Sequence, residues 1–319
     1  MRTWLTERFD LTVPVVGAPM AGVGSGALAA AVSSAGALGM LGVGNSATAD
    51  WVRAECAVAA ASGRPYGVGL MAWALERDRA PLDAVLEARP ALVSVSYGPY
   101  GRWGRELQDA GIAVATQVGT AAEAREAEDS GVDLLVTRGG EGGGHGRDDV
   151  STLTLLQVVL EQASTPVVAA GGIATARGLA AVLAAGAAGG WVGTAFLTCA
   201  EALTPPAARE RIAVTAETGT AYGRVFDVGQ RLDWPPEYGG RALRNAYFDR
   251  WQGREHELAD DDAAVAELAA ARSTGDLDVA YVYAGQGVGL LGGGRAAAEV
   301  VAELARAGEL LRRAAEGLR

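Results

Sequence analysis

The sequence contains no lysine: all 27 basic residues are arginine. Schiff-base chemistry needs a lysine amine, so class I aldolases and lysine-linked pyridoxal enzymes are excluded. A Walker A phosphate loop is excluded for the same reason. Cysteine is nearly absent, with Cys56 and Cys199 far apart, so no disulfide framework exists and buried free thiols are expected. Histidine is limited to two residues, His145 and His256, and no metal site is expected from them. There is no basic run, and the net charge is −11, which repels phosphate backbones; nucleic acid is not an expected partner. Uninterrupted apolar stretches long enough to span a bilayer are missing too, and the N-terminal residues have no signal core. A cytoplasmic protein with no membrane partner is the expectation; a homodimer is left open.

What is present is half hydrophobic residue and 45 glycines in 319 positions. Short apolar, β-branched runs bounded by Gly or Pro read as buried parallel strands. They fall at residues 13–18, 37–42, 66–71, 92–96, 113–117, 134–137, 167–170 and 190–193. Amphipathic, alanine-rich helices such as 26–35, 121–130 and 175–185 lie between them. Eight βα units at this spacing predict an α/β (β/α)8 TIM barrel. Residues 201–290 break the rhythm, with Pro205, Pro206, Pro235 and Pro236 and much of the later Arg and Trp. That segment is expected as a helical cap over the barrel mouth, with residues 1–200 and 291–319 forming the barrel. A single long helix is expected over roughly 296–318.

In such barrels the chemistry sits on the loops after the strands. After strand 1 comes Gly17-Ala18-Pro19-Met20-Ala21-Gly22, which suits a close approach to a flat ligand or a plain tight turn. After strand 6 comes Thr137-Arg138-Gly139-Gly140-Glu141-Gly142-Gly143-Gly144-His145-Gly146-Arg147, in which six of eleven residues are glycine. Glycine costs roughly 1 kcal/mol each in backbone entropy, so such a run has a purpose, and backbone N–H groups lining a ligand are one. His145 inside it suits proton transfer at neutral pH, against the alternative of an exposed bystander. His256, between Glu255 and Glu257, reads as a surface residue. After strands 7 and 8 come Gly171-Gly172 and Gly193-Thr194, where barrels frequently bind phosphate on backbone amides. Gln117 ends strand 5 and points to the mouth, for a ligand or as barrel lining. Gly285-Gln286-Gly287-Val288-Gly289 lacks the βαβ context of a dinucleotide fingerprint.

Together these motifs resemble the nitronate monooxygenase (2-nitropropane dioxygenase) family. The resemblance is carried by residues 17–22, 140–145, 170–173, 193–196 and 284–289, in family order and spread over nearly the whole chain. It implies non-covalent FMN with its phosphate on Gly172, Gly193 and Thr194, and Gly171 beside them in the cofactor site. Ala18, Pro19 and Met20 would lie by the flavin ring, Gln117 near its polar edge, and Arg138, Gly143 and Gly144 around the cavity. His145 would be catalytic, acting as base on a neutral nitroalkane or orienting a nitronate, with Met20 and Arg138 also touching substrate. The implied reaction takes O2 and yields a carbonyl compound and nitrite. Arg138 stands where relatives often carry Gln or an acid, and with Arg147 it is expected to favour an anionic substrate. A salt bridge from Arg138 to Glu141 or Asp148 is the competing expectation. Two other functions stay open: an enoyl-[acyl carrier protein] reductase-like enzyme using FMN and NAD(P)H, and a non-redox phosphate-binding isomerase or lyase.

Overall fold

In the computed structural model, which describes residues 1–318, eleven strands form two sheets. In chain order they are β1 Val15–Gly17, β2 Gly39–Gly42, β3 Tyr66–Met71, β4 Leu92–Ser96, β5 Ala113–Val118, β6 Leu134–Arg138, β7 Gly144–Gly146, β8 Val167–Ala170, β9 Gly189–Val192, β10 Thr220–Gly223 and β11 Gly239–Leu243. Eight of them form one parallel sheet in the order β1-β9-β8-β6-β5-β4-β3-β2. Its two ends meet: Gly17 N donates to Leu38 O at 2.8 Å, and Leu38 N donates to Val15 O at 2.9 Å. The sheet is therefore a closed (β/α)8 barrel, and its strands lie within about two residues of the expected positions. Hydroxyls of Ser25, Thr48 and Thr120 accept N–H groups in the first turns of the helices they precede.

Strand residues alternate between two cores. Outward side chains such as Val15, Leu41, Val68, Val93, Val114 and Leu135 pack under the helices. Inward ones, including Val16, Leu38, Met40, Leu92, Leu134 and Trp191, fill the barrel with Leu5 and Phe9 of helix Trp4–Phe9. Each such fully buried leucine contributes roughly 1.5–3 kcal/mol. Toward the strand C-termini the inward positions shrink to Gly69, Ser96, Ala115 and Ala170. A Cβ on Gly69 would lie 2.3 Å from Pro19 Cβ, so glycine there is what admits the Pro19 ring. The barrel is thus plugged at one end and, at the other, lined by these small residues together with Gln117 and Arg138.

Residues beyond 201 differ from the expected helical cap. Helices Pro206–Val214, Val225–Gly229, Ala246–Trp251, Glu255–Asp260 and Asp262–Thr274 are present, but so are β10 and β11. Phe226, Tyr247, Phe248, Trp251, Leu258 and Leu268 give this segment an apolar cluster of its own. β11 pairs antiparallel with β10 on one side and with β7 on the other, setting Gly240 opposite His145. Three-residue β7, Gly-His-Gly, has no strand propensity; pairing with a strand nearly a hundred residues later makes it one. The expected long C-terminal helix is two, Ala297–Ala305 and Ala307–Gly317, because Arg306 N turns back tightly to Glu303 O. Among the described residues no helix is long and apolar enough to cross a membrane.

Candidate active site

Arg138 ends β6 and faces inward, in step with Leu134 and Val136. Its side chain is 4% exposed and is enclosed by the glycine loop that follows it. Nη1 donates to Arg147 O at 2.7 Å; Nη2 donates to Gly142 O at 2.5 Å and to Gly144 O at 2.9 Å. A Cβ at Gly142 would lie 2.7 Å from Arg138 Nε, and one at Gly146 would lie 2.7 Å from Arg138 Cδ. The glycines are therefore required first to wind the loop around this arginine. Burial pushes its pKa below the ordinary arginine value, and among the described residues no carboxylate is ion-paired with it. The competing expectation of a salt bridge fails: Asp148 Oδ1 accepts from Arg241 Nη2 at 2.6 Å, and Glu141 Oε2 accepts from Thr152 N and Oγ1. Two free charges facing a substrate are not found either. Arg147 Nε is ion-paired with Glu123 Oε1 at 2.5 Å, and Arg138 holds the loop.

The ends of β8 and β9 converge beside this loop. Gly171 (φ +109°) and Gly172 (φ +68°) take backbone conformations that side chains rarely adopt. Among the described residues, the N–H groups of Gly172, Gly193 and Thr194 donate to no protein acceptor. Backbone amides left free in this way are the kind of group that can bind an anion. Residues 284–287 close over them. Gly285 N donates to Thr194 Oγ1 at 3.0 Å, Gln286 N donates to Glu141 O at 2.9 Å, and a Cβ on Gly287 would lie 3.7 Å from Gly172 O. A Cβ on Gly193 would lie 3.4 Å from Ala18 Cβ and 3.5 Å from Met20 Sδ, so the loop after β1 borders the same amides. Ala18, Pro19, Met20, Gln117, Gly143, Gly144, His145, Gly171, Gly172, Gly193 and Thr194 all keep accessible surface, whereas Arg138 does not.

His145 sits on β7 with its side chain 10% exposed. Nε2 lies 2.7 Å from Oδ1 of Asp227, a carboxylate 1% exposed on the later segment. Tyr283 Oη donates to the same oxygen at 3.3 Å. The Trp234 ring stacks on the imidazole at 3.6 Å and 2°. Tyr97 Oη donates to His145 O at 3.2 Å and accepts from Gln117 Nε2 at 2.6 Å. Gln117, expected at a flavin's polar edge, therefore spends an amide hydrogen on Tyr97. Burial raises the pKa of both tyrosines, so they remain donors at neutral pH. His145 Nδ1 has no partner among the described residues. The sequence reasoning missed Asp227, Trp234, Tyr283 and Tyr97; the aromatic density of residues 222–283 was the available signal.

Elsewhere, His256 is exposed, and Cys56 and Cys199 are free and buried, with thiols pushed up to about 11 and about 12. Surface hollows of about 440 and 420 Å³ lie by Arg211 and Arg244 and by Phe9 and Arg89; neither includes a residue of the mouth. Trp234 and Tyr283 pack against the His145 ring, at 3.6 and 5.0 Å between centroids.

The nitronate monooxygenase family model matches residues 2–80 and 74–307. The (3aS,4S,5R,7aS)-5-hydroxy-7a-methyl-1-oxo-octahydro-1H-indene-4-carboxyl-CoA dehydrogenase of Rhodococcus jostii is 34% identical over 230 residues, covering 71% of this chain but only 64% of that protein's length. A nitronate monooxygenase of Pseudomonas aeruginosa is 33% identical over 346 residues, covering 90% of this chain and 95% of its own. FabK from Thermotoga maritima superposes with a TM-score of 0.86 at 27% identity, covering 100% of this chain and 99% of that one. The nitroalkane oxidase of Streptomyces ansochromogenes has a TM-score of 0.82 at 30% identity, with 97% and 99% covered.

Proposed function

The chain belongs to the nitronate monooxygenase family, a family of flavin-dependent oxidoreductases, and from that premise we propose that it oxidises alkyl nitronates or nitroalkanes with O2 to a carbonyl compound and nitrite, using FMN. The observation that carries this reading is His145, fixed by Asp227 in the loop that borders a nest of free amides.

The residues present suit FMN. Free N–H groups on Gly172, Gly193 and Thr194 match the acceptor oxygens of a phosphate monoester. Ala18, Pro19 and Met20 offer an apolar edge for a flat ring, and Gly143 and Gly144 leave room beside it. Gly171 shapes the nest, and Arg138 serves cofactor and substrate through the loop it holds. When bound, FMN supplies the electron acceptor and the place of reaction with O2. Residues 201–290 act as the cap that shapes the pocket, and residues 1–200 and 291–319 as the barrel.

The acid–base part follows from the dyad. The Asp227 carboxylate accepts, so Nε2 carries the ring hydrogen and Nδ1 keeps its lone pair. With a neutral nitroalkane, Nδ1 takes the α proton and the C–H electron pair moves onto the nitro oxygens. Asp227 then steadies the imidazolium. With a preformed nitronate no proton need move, and His145 orients the anion.

The test is the absorbance of purified protein, followed by anaerobic additions of propionate 3-nitronate and, separately, NADH. Bleaching of a flavin spectrum by the nitronate alone is expected. Bleaching by NADH alone would replace this reading with the reductase one. A colourless protein with no flavin uptake would favour the isomerase or lyase.

A further inference from the structure

We propose that Tyr97 is a positioning residue for His145, holding the histidine's main chain against the barrel while Asp227 holds its ring from the cap. The inference rests on His145 being the acting group, as proposed above. Tyr97 follows β4 directly and has φ +68°, and Gly98 next to it has φ +128°. A bulky aromatic residue in left-handed backbone is strained, and such strain persists only where the surroundings impose it. Here the surroundings are specific. The ring meets Trp234 at 5.1 Å and Tyr238 at 5.4 Å between centroids, and the carbonyl accepts from Trp73 N at 3.3 Å.

The outcome of that strained turn is the placement of one hydroxyl. It accepts from Gln117 Nε2 of β5 and donates to His145 O of β7, so its orientation is set from both sides. Gln117 is itself held, its N–H donating to Ser96 Oγ at 3.0 Å. A path of bonded groups therefore runs from β4 and β5 to the residue whose side chain meets Asp227. A phenyl ring at position 97 would fill the same space and carry none of it.

Tyr97→Phe isolates the hydroxyl, and Gln117→Leu cuts the other end while leaving the ring and the strained backbone in place. With only two histidines in the chain, imidazole NMR reads His145 directly, and exposed His256 is an internal reference. Both variants are expected to move the His145 ring signals and leave those of His256 unchanged. With the neutral substrate nitroethane, whose α proton His145 must take, kcat is expected to fall about tenfold or more while KM changes by less than about twofold, as misplacement of an acting group requires. The double variant is expected to be no worse than Tyr97→Phe alone, since both break one path. His145 signals superposing on wild type in either folded variant, or losses that multiply in the double variant, would overturn the proposal. The NMR arm needs no substrate. Wild-type protein that leaves nitronates untouched would count against the proposed function and not against Tyr97.

Discussion

At the barrel mouth the site is built from main chain; in the segment that covers it, from side chains. The mouth offers free N–H groups at Gly172, Gly193 and Thr194 and carbonyls wrapped around Arg138, with Tyr97 and Gln117 among the side chains that reach the histidine from it. The cap offers Asp227, Trp234 and Tyr283, all converging on His145. A site made of backbone needs glycine where chains approach closely, and that need leaves a pattern of small residues along the chain. A site made of side chains from a separately packed segment leaves no such pattern. Under the proposed function the two regions would also divide the work, the mouth holding a phosphate-bearing ligand and the cap setting the chemistry of the histidine.

Three substitutions would sharpen or break that division. The largest effect is expected from Gly193→Val. Its Cβ would sit against Ala18 and Met20, and its methyl groups would crowd the free amides. Purified protein is expected to carry less than about a tenth of the wild-type flavin, since overpacking displaces neighbours by distances that a bound phosphate does not tolerate. Next comes His145→Ala, which should retain flavin and lose roughly 10²-fold or more in turnover of a neutral nitroalkane, the usual scale for a general base. Asp227→Asn should retain flavin and lose about tenfold to a hundredfold with the same substrate, because the amide can donate to Nε2 and reverse the tautomer. It should lose far less with a preformed nitronate. Flavin lost from Asp227→Asn, or kept at full occupancy by Gly193→Val, would erase the proposed split.

The same contrast explains what could be read in advance. Runs such as Tyr66–Met71 and Leu92–Ser96 are strands because they are apolar, β-branched and bounded by turn residues, and they are found where expected. Gly171-Gly172 and Gly193-Thr194 stood out because glycine at the ends of late barrel strands has few other uses. The reading failed where pairing is non-local. β7 is a strand only through β11, and Asp227 lies 82 residues from the histidine it contacts. It also failed on charge. Arg138 and Arg147 looked like free cations near a site, but one is spent on carbonyls and the other on Glu123. Nothing in the local sequence distinguishes an arginine that binds a ligand from one that ties a loop. Only the crowding of Cβ positions at Gly142 and Gly146 does so.

In the proposed site a cap carboxylate, Asp227, decides which nitrogen of His145 would act. Nitrogen-15 NMR of the labelled protein addresses it, since only His256 shares the imidazole region of the spectrum. Hydrogen on Nε2 and a bare Nδ1 are expected in the neutral ring, with that preference lost in Asp227→Asn. A ring with hydrogen on Nδ1 in the wild-type protein, or one unaltered by the substitution, would contradict that role of Asp227.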